Sequence, residues 1–203
     1  LEDISDGGIY AGFNSHGPMK HKLTEGNLDC YAALVGRPGA RAGVYRWLTE
    51  KMWVPAESRF HTGSTVSSTA LDCVSWAVAS LGPDYAKCIP YAEQHYILSS
   101  PMSACPGKTA TGFGDLPGNK HVWFEGTGQM IVAYRVAGRD ADAEHWIREM
   151  DTVAITAKTT GRGWPCSSND PAWGGASTRP FVASGAWYLC GVWKLNPMNP
   201  SSW

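Results

Sequence analysis

The sequence is short of charge, of long apolar runs and of every compact catalytic signature. Only 17% of its 203 residues are charged, the formal net charge is −1 and the pI is near 6.6. No basic stripe exists to displace counterions from a phosphate backbone, which argues against a nucleic-acid partner. No run approaches the ~18 apolar residues that a membrane span requires. The start is not a charged segment followed by an apolar one, so it does not read as a signal peptide. The chain opens on Leu1 rather than methionine, and we expect a mature form or a fragment. There is no phosphate-binding glycine loop, dinucleotide fingerprint or nucleophile elbow.

Cysteine is present but unorganised. Cys30, Cys73, Cys88, Cys105, Cys166 and Cys190 form no CxxC or other paired spacing, so neither zinc, haem nor any other metal or cofactor is expected. Cys30, Cys73 and Cys190 fall in apolar helical patterns and read as core. Cys105 and Cys166 fall in polar loops, where a disulfide is open to them. An even count permits an oxidising compartment, which leans toward an extracellular or periplasmic setting.

Against those absences stand two excesses, ten tryptophans and 23 glycines. Tryptophan supplies flat apolar faces with a single donor, and glycine allows close backbone approach. A Trp-rich core and a sugar-stacking cleft both fit this composition.

Apolar periodicity organises most of the chain into helices. Residues 1–22 are polar and glycine-rich and are expected to form an irregular lead-in. Thr24 is expected as the N-cap of a helix over 24–36. Further helices are expected over 40–54, 68–82, 84–98, 121–138, 140–158 and 181–195. Those at 24–36, 68–82, 121–138 and 181–195 are apolar on most faces, and the three between them are amphipathic. The phrase Leu-Asp-Cys occurs at 28–30 and again at 71–73. The alternation is that of stacked helical hairpins, with inner helices buried all round and outer ones half-buried.

Connection lengths sharpen this pattern. Inner-to-outer links are a few residues each, whereas the returns over 55–67, 99–120 and 159–180 are long loops. An up-and-down arrangement puts all the long loops on one face, where binding and catalysis usually sit. The same face receives the amino-terminal ends of the inner helices, with their unpaired N–H groups.

Taken together, TEGNLD, ALDCVSWA, VWFEGTGQM and ASGAWY followed by Asn-Pro resemble the six-hairpin glycosidase-like superfamily. The likeness runs from about Gly8 to Pro197. It implies an all-α, (α/α) toroid-like single domain over 1–203, and a carbohydrate-active enzyme with its site at the mouth. It also implies an oligo- or polysaccharide partner. A complete toroid of that superfamily has six inner helices, and four are countable here. An incomplete ring, a missing N-terminal portion or self-association that completes the ring is therefore expected.

Glycoside hydrolysis needs two carboxyl groups flanking the scissile bond. Glu25, Asp72 and Glu125 lie 11, 10 and 13 residues before the closing glycines Gly36, Gly82 and Gly138. At a rise of about 1.5 Å per residue they stand at similar heights. Asp29 should lie deeper, although aligning the two Leu-Asp-Cys phrases would pair it with Asp72. Acidic residues in a first turn also serve the helix dipole without catalysis. Glu125, preceded by Trp123-Phe124, is the expected general acid, with Glu25 as base or nucleophile and Asp72 and Asp115 as further candidates. Trp123, Trp164, Trp173 and Trp187 are candidate sugar platforms, with the loop residues Trp164 and Trp173 foremost. His121 and Asn27 join them as substrate-binding candidates. The rival reading is a non-catalytic glycan-binding or assembly module on the same hairpins.

Overall fold

A computed structural model describes residues 2–157, 161–169 and 178–199. Seven α-helices dominate them: α1 (Thr24–Ala33), α2 (Pro38–Trp47), α3 (Asp72–Leu81), α4 (Ile89–Tyr96), α5 (Phe124–Val136), α6 (Asp140–Thr152) and α7 (Val182–Val192). The odd-numbered helices pack side by side in chain order, α1 on α3, α3 on α5 and α5 on α7. The even-numbered ones lie against their preceding partners, α2 on α1, α4 on α3 and α6 on α5. The result is an all-α arc of helical hairpins with an inner and an outer layer, as the apolar/amphipathic alternation requires.

The inner helices are not equally enclosed. Ten residues of α5 are buried and seven of α3, but three of α1 and two of α7. Helices α1 and α7 end the arc and have an inner neighbour on one side only. Apolar side chains stay in solvent at these ends of the arc: Val182 on α7, and Val35 and Trp193 just past α1 and α7, at 87%, 59% and 62% exposure. Burial on all faces, expected of all four, holds for the two central staves.

Contact between α5 and α7 depends on glycine. A Cβ on Gly191 would sit 2.3 Å from Ile131 Cγ2, and one on Gly128 would sit 2.8 Å from Trp187 Cβ. Two glycines facing opposite helices let the backbones approach to a distance that larger residues forbid. Outside this contact the main core gathers Trp47, Phe60, Phe113, Phe124 and Trp146 between the two layers.

Several boundaries differ from expectation, each for a local reason. Leu23, in an extended conformation, caps α1, while Thr24 is its first residue and donates its Oγ1 hydrogen to the His61 carbonyl at 2.5 Å. The expected helix at 84–98 is a 3₁₀ segment, Pro83–Cys88, followed by α4, and residues 97–98 begin a strand. Pro90 sits at the second position of α4, where its missing N–H leaves no helix bond unmade. Each long return holds an antiparallel hairpin of two short strands. These are β3–β4 (Trp53–Val54, Arg59–Phe60), β5–β6 (Ile97–Pro101, Thr109–Phe113) and β7–β8 (Ile155–Ala157, Gly161–Gly163). Strands this short carry little alternation to read.

The lead-in is also ordered. It contains β1 (Phe13–Asn14) paired with β2 (Gly17–Pro18). Lys22, 4% exposed, bonds Asp3 at 2.8 Å and Asp6 at 2.6 Å. Its ammonium also lies 4.9 Å from the Tyr10 ring centroid. The disulfide open to Cys105 and Cys166 is not formed; Cys73 is buried, as expected of a core residue, and Cys30 and Cys190 are half-buried.

Candidate active site

Three carboxylates occupy equivalent places on three successive inner helices. Glu25 is the second residue of α1, Asp72 the first of α3 and Glu125 the second of α5. The hairpin topology brings these first turns to one end of the arc, where they line a cleft of about 390 Å³ with Asp115, Trp123 and Gln129. Asp29, which shares the Leu-Asp-Cys phrase with Asp72, is the sixth residue of its helix and exposed, and it does not line the cleft. Height on the helix, rather than the repeated phrase, selects the cluster.

The electrostatics follow from crowding acids in a partly enclosed space. Burial pushes the Glu25 carboxyl up to about 7, and the charge of Asp72 and a hydrogen bond with it add to the rise. Asp72 is also raised, chiefly by burial, against bonds from Glu25 and Cys73 that favour its charged form. Its Oδ1 is fully enclosed and has no protein donor, although part of the residue reaches the cleft. Two carboxyl groups hydrogen-bond each other only with a proton between them, so Glu25 and Asp72 titrate as a pair. Glu125 is raised by burial first and by the Glu25 charge second, while the Gln129 amide favours its ionised form. A helix N-terminus stabilises a nearby anion by about 0.3–1 kcal/mol. That does not outweigh burial next to a second acid, and the shifts are upward.

Neighbouring loops supply the walls. Asp115 accepts a hydrogen bond from Asn119 and pairs with His121 Nε2 at 3.1 Å, while its backbone carbonyl accepts from Leu71 N at 2.9 Å. The loop before α5 is thereby fastened to the residue preceding Asp72. Trp123, 8% exposed, folds back over the first turn of α5, where a Cβ on Gly126 would lie 2.2 Å from its ring. The Glu-Gly pair at 125–126 thus has a packing reason: the carboxylate faces the cleft and the glycine admits the indole.

Other candidates lie elsewhere. Trp164 is 6% exposed, bonds the Met150 carbonyl through Nε1 at 2.7 Å and packs 4.0 Å from the Tyr188 ring. It is a core residue despite its loop position, because β7–β8 folds that loop onto α6 and α7. Trp187 stacks on Trp76 at 6.0 Å, against Ala79 and Val132, and does not line the acid cleft. Asn27 is 1% exposed, and both ends of its amide are taken by the backbone of Ile9 and Leu23. It fastens the lead-in to α1 and has no polar atom left for a sugar. Trp173 lies outside the described residues. Gln129 also lines the cleft, one turn below Glu125. Its signal in the sequence is a lone amide just before the apolar run Met130–Ala133.

Among the described residues, no three or more His, Cys, Asp or Glu side chains are grouped to hold a metal ion. No helix of those residues is long and apolar enough to cross a membrane.

No protein-family model matches the chain, and no curated protein matches it either. Among solved structures it is similar to a GH8 catalytic-mutant xylanase in complex with xylohexaose, from Teredinibacter turnerae. The TM-score is 0.46 and the identity 15%, over 87% of this chain and 58% of that one. A GH8 xylobiose complex from the same organism gives the same values. The chain thus spans 58% of the length of the structures it matches.

Proposed function

We propose that the chain carries the acid cleft of a glycoside hydrolase acting on an oligo- or polysaccharide. The observation that supports this reading best is the convergence of Glu25, Asp72 and Glu125 on one cleft, where burial and the Asp72 charge raise the Glu25 carboxyl to about 7. A carboxyl group whose pKa is close to neutrality can give up a proton in the transition state and recover it afterwards.

The charge distribution favours roles opposite to those expected from the Trp-Phe-Glu context. Glu25 is raised to about 7, and its proton goes to the glycosidic oxygen as the bond to the anomeric carbon breaks. Asp72 holds that proton in place before transfer. Glu125, whose ionised form Gln129 favours, is the second carboxylate, and it either attacks the anomeric carbon or removes a proton from the attacking water. The anomer released first, read by proton NMR, separates those two courses. Trp123 and His121 border the sugar, with His121 acting through Asp115.

Release of reducing ends from a panel of xylans, glucans and chitosans tests the reading. Turnover by the wild-type chain that is lost in both Glu25→Gln and Glu125→Gln supports it. The exposed apolar flanks of α1 and α7 favour a second reading, an assembly or glycan-binding module. Saturable glycan binding by an oligomer with no product release would select that reading.

A further inference from the structure

Gln129 is 1% exposed and is the one amide among the buried residues of α5. Burying an amide is costly unless both of its ends are matched. One end is: Ser75 Oγ, on α3, lies 2.9 Å from Gln129 Oε1. The other, Nε2, is enclosed and has no protein acceptor in full hydrogen-bond geometry. The group it bears on is Glu125, one helical turn toward the N-terminus on the same face.

We propose that Gln129, anchored by Ser75, is the positioning residue for Glu125, directing its amide N–H to the carboxylate and fixing the rotamer that faces the cleft. The physical logic lies in the fork of the amide. A hydroxyl donor on α3 claims the oxygen, so the nitrogen is left pointing at Glu125, and a donor there supports the charged carboxylate. Glu25, on α1, opposes that charge from across the cleft, and Asp72, on α3, is itself raised by the Glu125 charge. Asp115, on the loop before α5, is occupied with His121 and Asn119. The first turn of α7, Val182-Ala183-Ser184, brings no charge. Gln129 is then the group on α5 that works against burial and the neighbouring acids, which together raise the Glu125 carboxyl. This assignment rests on the paired-carboxylate reading, yet the ionisation it describes is measurable without turnover.

The test is a carboxyl ¹³C titration of the full chain labelled at glutamate, with the Glu125 signal assigned by its loss in Glu125→Gln. Gln129→Met keeps the length of the side chain and removes the donor; Ser75→Ala removes the anchor and leaves the amide. We expect the Glu125 midpoint to rise by about one pH unit in Gln129→Met and by less in Ser75→Ala. Circular dichroism melting of both variants provides the folding control, and Ser75→Ala alone carries the test if Gln129→Met does not fold. An unchanged midpoint overturns the proposal. A fall does so too, since it would mean that Oε1 faces Glu125 and supports its protonated form. A shifted midpoint in a chain that hydrolyses no polysaccharide keeps the positioning role and removes the hydrolase reading. Turnover with no shift does the reverse.

Discussion

Glu25 and Asp72 meet at one cleft from the first turns of α1 and α3, where burial first and the Asp72 charge second push the Glu25 carboxyl up to about 7. An acid pair in this state works against the fold when it ionises.

Stability should therefore fall as pH rises through the titration of this pair. A carboxyl raised in the folded chain binds more protons there than in the unfolded one. The slope of unfolding free energy with pH is then negative between the ordinary glutamate value of 4.5 and about 7. Thermal melting of the wild type from pH 4 to pH 8 should show a declining component that Glu25→Gln lacks. At pH 8 the variant should melt higher than the wild type. A lower melting temperature at pH 8 would show that the pair is a structural bond and not a strained one.

The α5–α7 contact tolerates no side chain at Gly191. Alanine there meets Ile131 at 2.3 Å, and relief requires the helices to move apart. Overpacking of this kind costs about 1–3 kcal/mol. Chemical denaturation of Gly191→Ala should show that loss, whereas alanine at Gly185, with open space around its Cβ, should be close to neutral.

The lead-in is held by a buried ion-pair cluster. Lys22→Met leaves Asp3 and Asp6 facing each other without their cation. We expect the melting temperature to drop by about 5 °C. Faster proteolysis within 1–22 should accompany the drop. Unchanged proteolysis would mean that the Gly7 and Gly8 contacts with α2 suffice.

Trp123 is placed by the glycine at 126. Gly126→Ala should displace the indole from the first turn of α5 and raise KM for any polysaccharide substrate by about tenfold, leaving the Glu25–Asp72 titration in place. Tryptophan fluorescence against a glycan ligand would report the displacement.

Much of this was legible in the sequence because it depends on period and length. The alternation of apolar and amphipathic helices gave the two layers, and counting back from Gly36, Gly82 and Gly138 put three carboxylates at one height. The structure brings those three together. What escaped depends on contacts between segments distant in the chain. Trp164 reads as a loop platform until β7–β8 folds it onto Met150 and Tyr188. Asn27 reads as a free amide until Ile9 arrives from the lead-in. The raised Glu25 carboxyl follows from burial and from its proximity to Asp72, 47 positions away in the chain, which no local context encodes.

The central claim is that the Glu25–Asp72 pair supplies the proton for glycosidic cleavage. Its most direct test is the rate of reducing-end release by the wild type and by Glu25→Gln on the best polysaccharide of the panel, with an activated aryl glycoside alongside. Glu25→Gln should lose about 10²–10⁴-fold of the rate on the polysaccharide. On the aryl glycoside, whose leaving group needs little protonation, most of the rate should survive. Equal losses on both substrates, or full activity of Glu25→Gln on the polysaccharide, would contradict it.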